Sequence, residues 1–141
     1  ISAYAQAGKQ SRHNLNYWQF GDYLGIGAGA HGKISCQLPD KIVRTSKAKQ
    51  PEQYLKLLKN DRLVNSILTD EIPLEFVMNN LRLKTGFCLD DFSARTGLNS
   101  DVLQIALQQC QQQGLLDVTQ NNYRCSEKGW LFLDSILEKF S

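Results

Sequence analysis

The 141-residue sequence holds one methionine, Met78, with none at its start, and only three prolines and two histidines. These shortages narrow the possibilities. No run approaches the ~20 consecutive apolar residues that a membrane-spanning helix needs, and no basic start followed by an apolar core marks a signal peptide. The four cysteines, Cys36, Cys88, Cys110 and Cys125, stand far apart and form no CxxC or comparable pair. That spacing speaks against a metal cluster built from them alone. They read as reduced, cytosolic thiols used as small apolar residues, with a disulfide framework as the alternative. The chain opens at Ile1 within the apolar-small run Ile1–Ala5, which reads as the middle of a strand. The sequence is therefore expected to be the C-terminal part of a longer protein.

The net charge of +2 conceals an asymmetry. Residues 1–73 carry ten Lys and Arg against six Asp and Glu, whereas residues 74–141 carry six against eight. The excess lies in Lys33, Lys41, Arg44, Lys47, Lys49, Lys56, Lys59 and Arg62. This span reads either as a solvated connector or as a basic surface for an acidic partner, lipid headgroups or a carboxylate-bearing ligand. As irregular chain rich in cleavable residues, it is the expected first site of limited proteolysis.

Along the chain, strand-like pieces at Ile1–Ala5 and Tyr23–Gly27 flank a polar-aromatic middle. Pro51 suits the first turn of a short helix through Tyr54, Leu55 and Leu58. From Pro73 the periodicity sharpens. Leu74, Val77 and Leu81 predict a helix ending near Gly86, and Asp90 is expected to cap a short helix that stops at Gly97. Asn99 or Ser100 is expected to cap a longer one with Leu103, Leu107 and Cys110 on one face. A hairpin turning at Gln120–Asn122 follows, then a helix through Leu133, Ile136, Leu137 and Phe140. The order is that of a winged-helix-like module in an α+β chain. Its second helix, Asn99–Gly114, contains no Lys or Arg, and the hairpin offers only Arg124. DNA recognition needs cations at phosphates, so the module reads as a packing or interaction domain and no nucleic-acid partner is expected.

The densest segment is His13–Gly32, which holds both histidines, Tyr17, Trp18, Phe20, Tyr23 and half of the glycines. Gly27–Gly32 formally matches GxGxxG. The following Lys33–Pro39 looks extended, however, whereas the dinucleotide fingerprint needs a helix there. What survives is backbone without side chains, from which His31 projects, and against which a bulky ligand has room to lie. His13 is a candidate axial ligand for heme iron, since an imidazole binds iron through one ring nitrogen. Tyr17, Trp18 and Phe20 are placed to face a porphyrin, and Arg12 and Lys9 to meet propionates. The alternative is a hydrogen-bonded structural histidine beside core aromatics.

The strings Ile1-Ser2-Ala3-Tyr4, His13-Asn14-Leu15-Asn16-Tyr17-Trp18 and Gly21 to Gly32 resemble the C-terminal part of the radical SAM heme chaperones of the HemW family. That family is related to the oxygen-independent coproporphyrinogen III oxidases (HemN), and Pro73–Phe140 resembles its C-terminal domain. The resemblance implies that residues 1–36 end a radical SAM (β/α) barrel, 37–72 form a basic linker, and 73–141 a HemN-type, winged-helix-like domain. It assigns heme, and its iron, to His13 with Tyr17 and Trp18 as companions, and it sets His31 on the S-adenosylmethionine side of the barrel. The parent would deliver heme to recipient hemoproteins, membrane-associated respiratory proteins among the candidates, from a cytoplasmic or membrane-associated location. The family's CxxxCxxC motif has no counterpart here, so the [4Fe–4S] cluster and S-adenosylmethionine belong to the parent, and this chain is expected to have no catalytic residue. Porphyrin biosynthesis by an oxidase-branch parent, and a ligand-free interaction domain, stand as alternatives.

Overall fold

The computed structural model describes residues 4–39, 41–56 and 63–141. It is an α+β arrangement. The first element is α1 (Arg12–Trp18), followed by β1 (His31–Gln37), β2 (Lys41–Ser46), α2 (Pro51–Lys56) and β3 (Leu63–Ile67). After α3 (Ile72–Asn80) come β4 (Phe87–Cys88), α4 (Leu89–Thr96), a 3-10 turn at Ser100–Leu103 and α5 (Gln104–Gln112). The hairpin β5 (Leu116–Thr119) and β6 (Asn122–Cys125) precedes α6 (Glu127–Leu131) and α7 (Leu133–Leu137).

Two antiparallel sheets result. The first runs β1-β2-β3, with Lys33 opposite Arg44 and Ile42 opposite Ile67. The second runs β4-β6-β5. The first sheet lies largely where the sequence suggested irregular chain. Its cations Lys33, Lys41 and Arg44 sit beside the buried β-branched residues Ile42, Val43 and Ile67. Cations within short strands of few apolar residues are easily taken for a solvated connector. Part of the expected cleavage span, 57–62, lies outside the described residues, as do Leu58, Lys59, Arg62 and Ile1–Ala3 of the first strand-like piece. Tyr4 and Ala5 are not in a strand. Of Tyr23–Gly27, only Tyr23 pairs, through an isolated antiparallel bridge to Lys33. The described strands pair antiparallel, unlike the parallel strands of a (β/α) barrel.

One core joins both halves. Phe20, Ile42 and Ile67 pack in the same cluster as Phe76, Phe87, Phe92, Leu107 and Ile136. Phe76 of α3 is the hub. Its ring meets Phe20, Phe87 and Phe92 at 5.7, 5.3 and 5.1 Å between centroids, each edge to face, the geometry favoured by ring quadrupoles.

Local chemistry accounts for the helix ends. The cap of α4 is Cys88, not Asp90: its Sγ accepts from the Asp91 amide, while its thiol donates to the Asp91 carboxylate. A short side chain directly before the first turn can do this, whereas Asp90 already lies within the helix. The helix stops at Gly97, whose φ of 75° suits the left-handed cap. Asn99 caps the 3-10 turn through Asp101 N at 3.0 Å. The hairpin turns on Gln120 and Asn121, both at positive φ, with Asn122 already in β6. The final helix, α7, ends at Leu137, so Phe140 packs into the core from beyond it, and the short α6 precedes it across Phe132.

Candidate functional site

The site is built on α1 and the segment that leaves it. Ser11 caps α1, accepting from the Asn14 amide at 3.5 Å. His13 is its second residue and is exposed. Tyr17 follows four residues later, so the two share a face one turn apart. Trp18, half-buried, lies roughly 100° further round the helix than Tyr17, away from that face. His31 sits on another element, exposed at the start of β1 opposite Ser46. The helix thus brings His13 and Tyr17 together, while Trp18 and His31 face elsewhere or stand on other backbone.

The glycines after α1 are required by protein, not by space for a ligand. A Cβ on Gly25 would stand 2.2 Å from the His31 carbonyl oxygen, and one on Gly32 would stand 2.6 Å from Thr45 Oγ1. The segment is therefore pressed on β1 at Gly25, and within the GxGxxG string only Gly32 is crowded, while Gly29 makes ordinary contact with Lys49. Gly27 alone of the GxGxxG glycines faces open space.

Beneath this segment lies a buried ammonium that composition and motif reading did not single out. Lys33 is 2% exposed and its Nζ donates to the Phe20 carbonyl at 3.0 Å, Asp22 Oδ1 at 3.1 Å and Ser35 Oγ at 3.2 Å. Its charge also lies 3.9 Å from the Phe20 ring centroid, a cation–π contact. Three acceptors match the three N–H donors of an ammonium. Ser35 in turn donates to Asp22 from both its hydroxyl and its amide, each at 2.9 Å. Burial pulls Lys33 below its ordinary pKa against the opposing pull of Asp22. For Asp22, burial works against ionisation, but the Ser35 amide and the Lys33 ammonium outweigh it and hold the carboxyl below the usual range. The only hint in the sequence was a lysine flanked by small and apolar residues immediately after the glycine string.

A second network adjoins the first. The Tyr17 and Tyr23 rings lie 4.9 Å apart, and Arg44 donates to the Tyr23 hydroxyl at 3.5 Å and pairs with Glu75 of α3. Burial opposes the Arg44 charge, yet the Glu75 carboxylate holds the guanidinium above its ordinary value. Burial, followed by the hydrogen bond with Tyr17, pushes the Tyr23 phenol up to about 12. The Tyr17 face of α1 is thereby tied through β2 to the core helix.

The residues present do not fit an iron–sulfur cluster. Among the described residues no three His, Cys, Asp or Glu side chains stand together as a metal site. Cys110 and Cys125 are buried, and burial pushes the Cys125 thiol up to about 11, the opposite of what a thiolate ligand needs. A polar cleft of about 100 Å³, lined by Gln19, Asn80, Gly86, Asp91 and Arg95, is well below the ~300 Å³ at which cofactor pockets begin. Among the described residues no helix is long and apolar enough to cross a membrane.

Residues 68–132 match the HemN C-terminal domain family. Over 99% of its length the chain is 44% identical to the heme chaperone HemW of Escherichia coli and 40% identical to that of Haemophilus influenzae, spanning 36% of each protein. It is 30% identical, over 97% of its length, to the mitochondrial radical S-adenosyl methionine domain-containing protein 1 of Bos taurus, of which it spans 33%. No solved structure matches. The chain therefore carries a domain of the HemN C-terminal type. It is a HemW-like sequence that spans about a third of the length of the curated relatives it matches.

Proposed function

We propose that this chain is the heme-handling C-terminal part of a heme chaperone, with heme as its cargo and His13 as an axial ligand. The observation that carries the reading is the placement of the HNxxYW string: His13 is exposed on one face of α1 with Tyr17 a turn away, in a chain that is HemW-like throughout. An open helix face, not an enclosed pocket, suits cargo that must be released. Tyr17 offers a ring edge beside the porphyrin, backed by Tyr23, while Trp18 completes the string from an adjoining face. Delivery to recipient hemoproteins, the cluster and S-adenosylmethionine belong to the longer protein, in which residues 1–36 adjoin the barrel with His31 on its S-adenosylmethionine side.

In this reading residues 73–141 are a winged-helix-like domain used for packing and protein contact. The surface of the 3-10 turn and α5 supports this, since Val102 and Ile105 are exposed there beside glutamines, and Arg124 of the hairpin lies 3.7 Å from Asp117 instead of standing alone for phosphate. Hemin titration tests the heme assignment. The chain should give a shifted Soret band, and His13→Ala should weaken binding by roughly tenfold or more. An unchanged affinity and spectrum in that variant would assign His13 to structure.

A further inference from the structure

Helix α1 buries none of its residues completely, so beside the Tyr17–Tyr23 ring contact its direction depends on the segment that leaves it. That segment is held unusually firmly. Phe20, directly after the cap residue Gln19, takes a φ of 60°, a left-handed conformation that a bulky L-residue adopts only when its surroundings over-determine it. Its ring is fixed against Phe76 on one side and beneath the Lys33 ammonium on the other, and its carbonyl accepts from the same ammonium. The next two residues are tied back to the helix. Gly21 N donates to the Asn16 carbonyl at 2.8 Å, and the Asn16 amide donates to the Asp22 carbonyl at 2.9 Å. Asp22 then closes the circuit on Lys33 and Ser35 of β1.

We propose that Lys33, acting with Asp22, is the positioning residue for the helix that presents His13, so that an ammonium buried in the sheet, paired with a half-exposed carboxylate, sets the geometry of heme capture. The proposal rests on the heme reading above. An apolar side chain of similar length would fill this site at no desolvation cost, so a buried ammonium is a poor choice for stability alone. What it adds is direction: three aimed hydrogen bonds and one ring contact converge on the turn through which α1 leaves. Lys33 touches no cargo. It acts through Phe20 and the helix.

The test is a double-mutant cycle on the whole chain, using hemin as the probe. Lys33→Met should weaken hemin binding about tenfold and remove the His13-dependent Soret component, the scale expected when a group that orients a ligand is lost. In a His13→Ala background the same substitution should weaken binding no further. Amide exchange should quicken in α1 of Lys33→Met while α5 keeps its protection. Asp22→Asn, which leaves the ammonium in place, should move affinity in the same direction by a smaller factor, and it serves if Lys33→Met does not fold. Wild-type affinity and spectrum in the folded Lys33→Met or Asp22→Asn protein would overturn the proposal. So would equal weakening with and without His13, because the lysine would then act on the fold at large. A wild-type chain whose hemin binding ignores His13→Ala would instead overturn the heme reading itself, and with it the role given to Lys33.

Discussion

Replacing Phe76 with alanine should unfold both ends of the chain together. The residue is fully buried and edge-on to three other rings, contributed by the α1 exit, β4 and α4. Truncating a core phenylalanine to alanine costs about 4 kcal/mol from lost transfer energy and the residual cavity. For a chain of this size, that corresponds to a melting temperature lower by roughly 15 °C. The two tryptophans report the two ends separately, because Trp18 is in α1 and Trp130 in α6. In single-tryptophan proteins made by Trp18→Phe or Trp130→Phe, both emission transitions should coincide before the Phe76→Ala change and move together after it. Phe20 and Ile42 share the core with Ile136 and Phe140, and this is what couples them. If Trp130 fluorescence shifted while that of Trp18 melted at its own unchanged temperature, the continuous core would be refuted. The chain would then divide as its charge distribution suggested.

Gly25→Ala should destabilise the chain by about 2 kcal/mol or more, since a methyl group there overlaps the His31 backbone. The denaturant midpoint of the variant checks this, and an unchanged midpoint would return the glycine segment to a ligand-facing role. Acid titration checks the ion pair. The folded-state pKa of Asp22 is depressed, so its contribution is fully present above the ordinary carboxyl value near 3.8 and is lost as pH falls through the lower folded value. Stability of the wild type should therefore fall more steeply below about pH 4 than that of Asp22→Asn, and parallel curves would remove Asp22 from the account.

The C-terminal half was largely legible because its elements are set by local rules. Gly97 and Gly114 at positive φ, Asn99 as a cap, and the apolar face of Leu103, Leu107 and Cys110 each follow from residues within a few positions of one another. The N-terminal half was harder to read because its order comes from distant partners. Lys33 is neutralised by Asp22 eleven residues away, and Arg44 by Glu75 thirty-one residues away. Read singly, these cations swell a charge excess. Read in pairs, they are cross-links between distant segments. The cap by Cys88 was missed for a smaller reason: a thiol seldom replaces a carboxylate as a cap.

The candidate site shows the same contrast. The residues that face outward, His13 and Tyr17, were named from residue type and from the resemblance of their string, whereas the helix that carries them was not expected. Those that hold them in place were not, because nothing about a lysine, an aspartate and a serine in separate segments declares that they will meet. The glycines make the point most sharply. Read as sequence, they suggest a surface cleared for a flat ligand. In the fold, Gly25 and Gly32 are cleared for β1 and β2, so that the strand carrying Lys33 can approach the turn leaving α1. The backbone contact brings the Lys33 ammonium under Phe20, the ammonium fixes the exit of the helix, and the helix holds His13 in solvent. The histidine and the glycines of this segment are therefore parts of one arrangement, the first exposed on its helix and the second serving the support behind it.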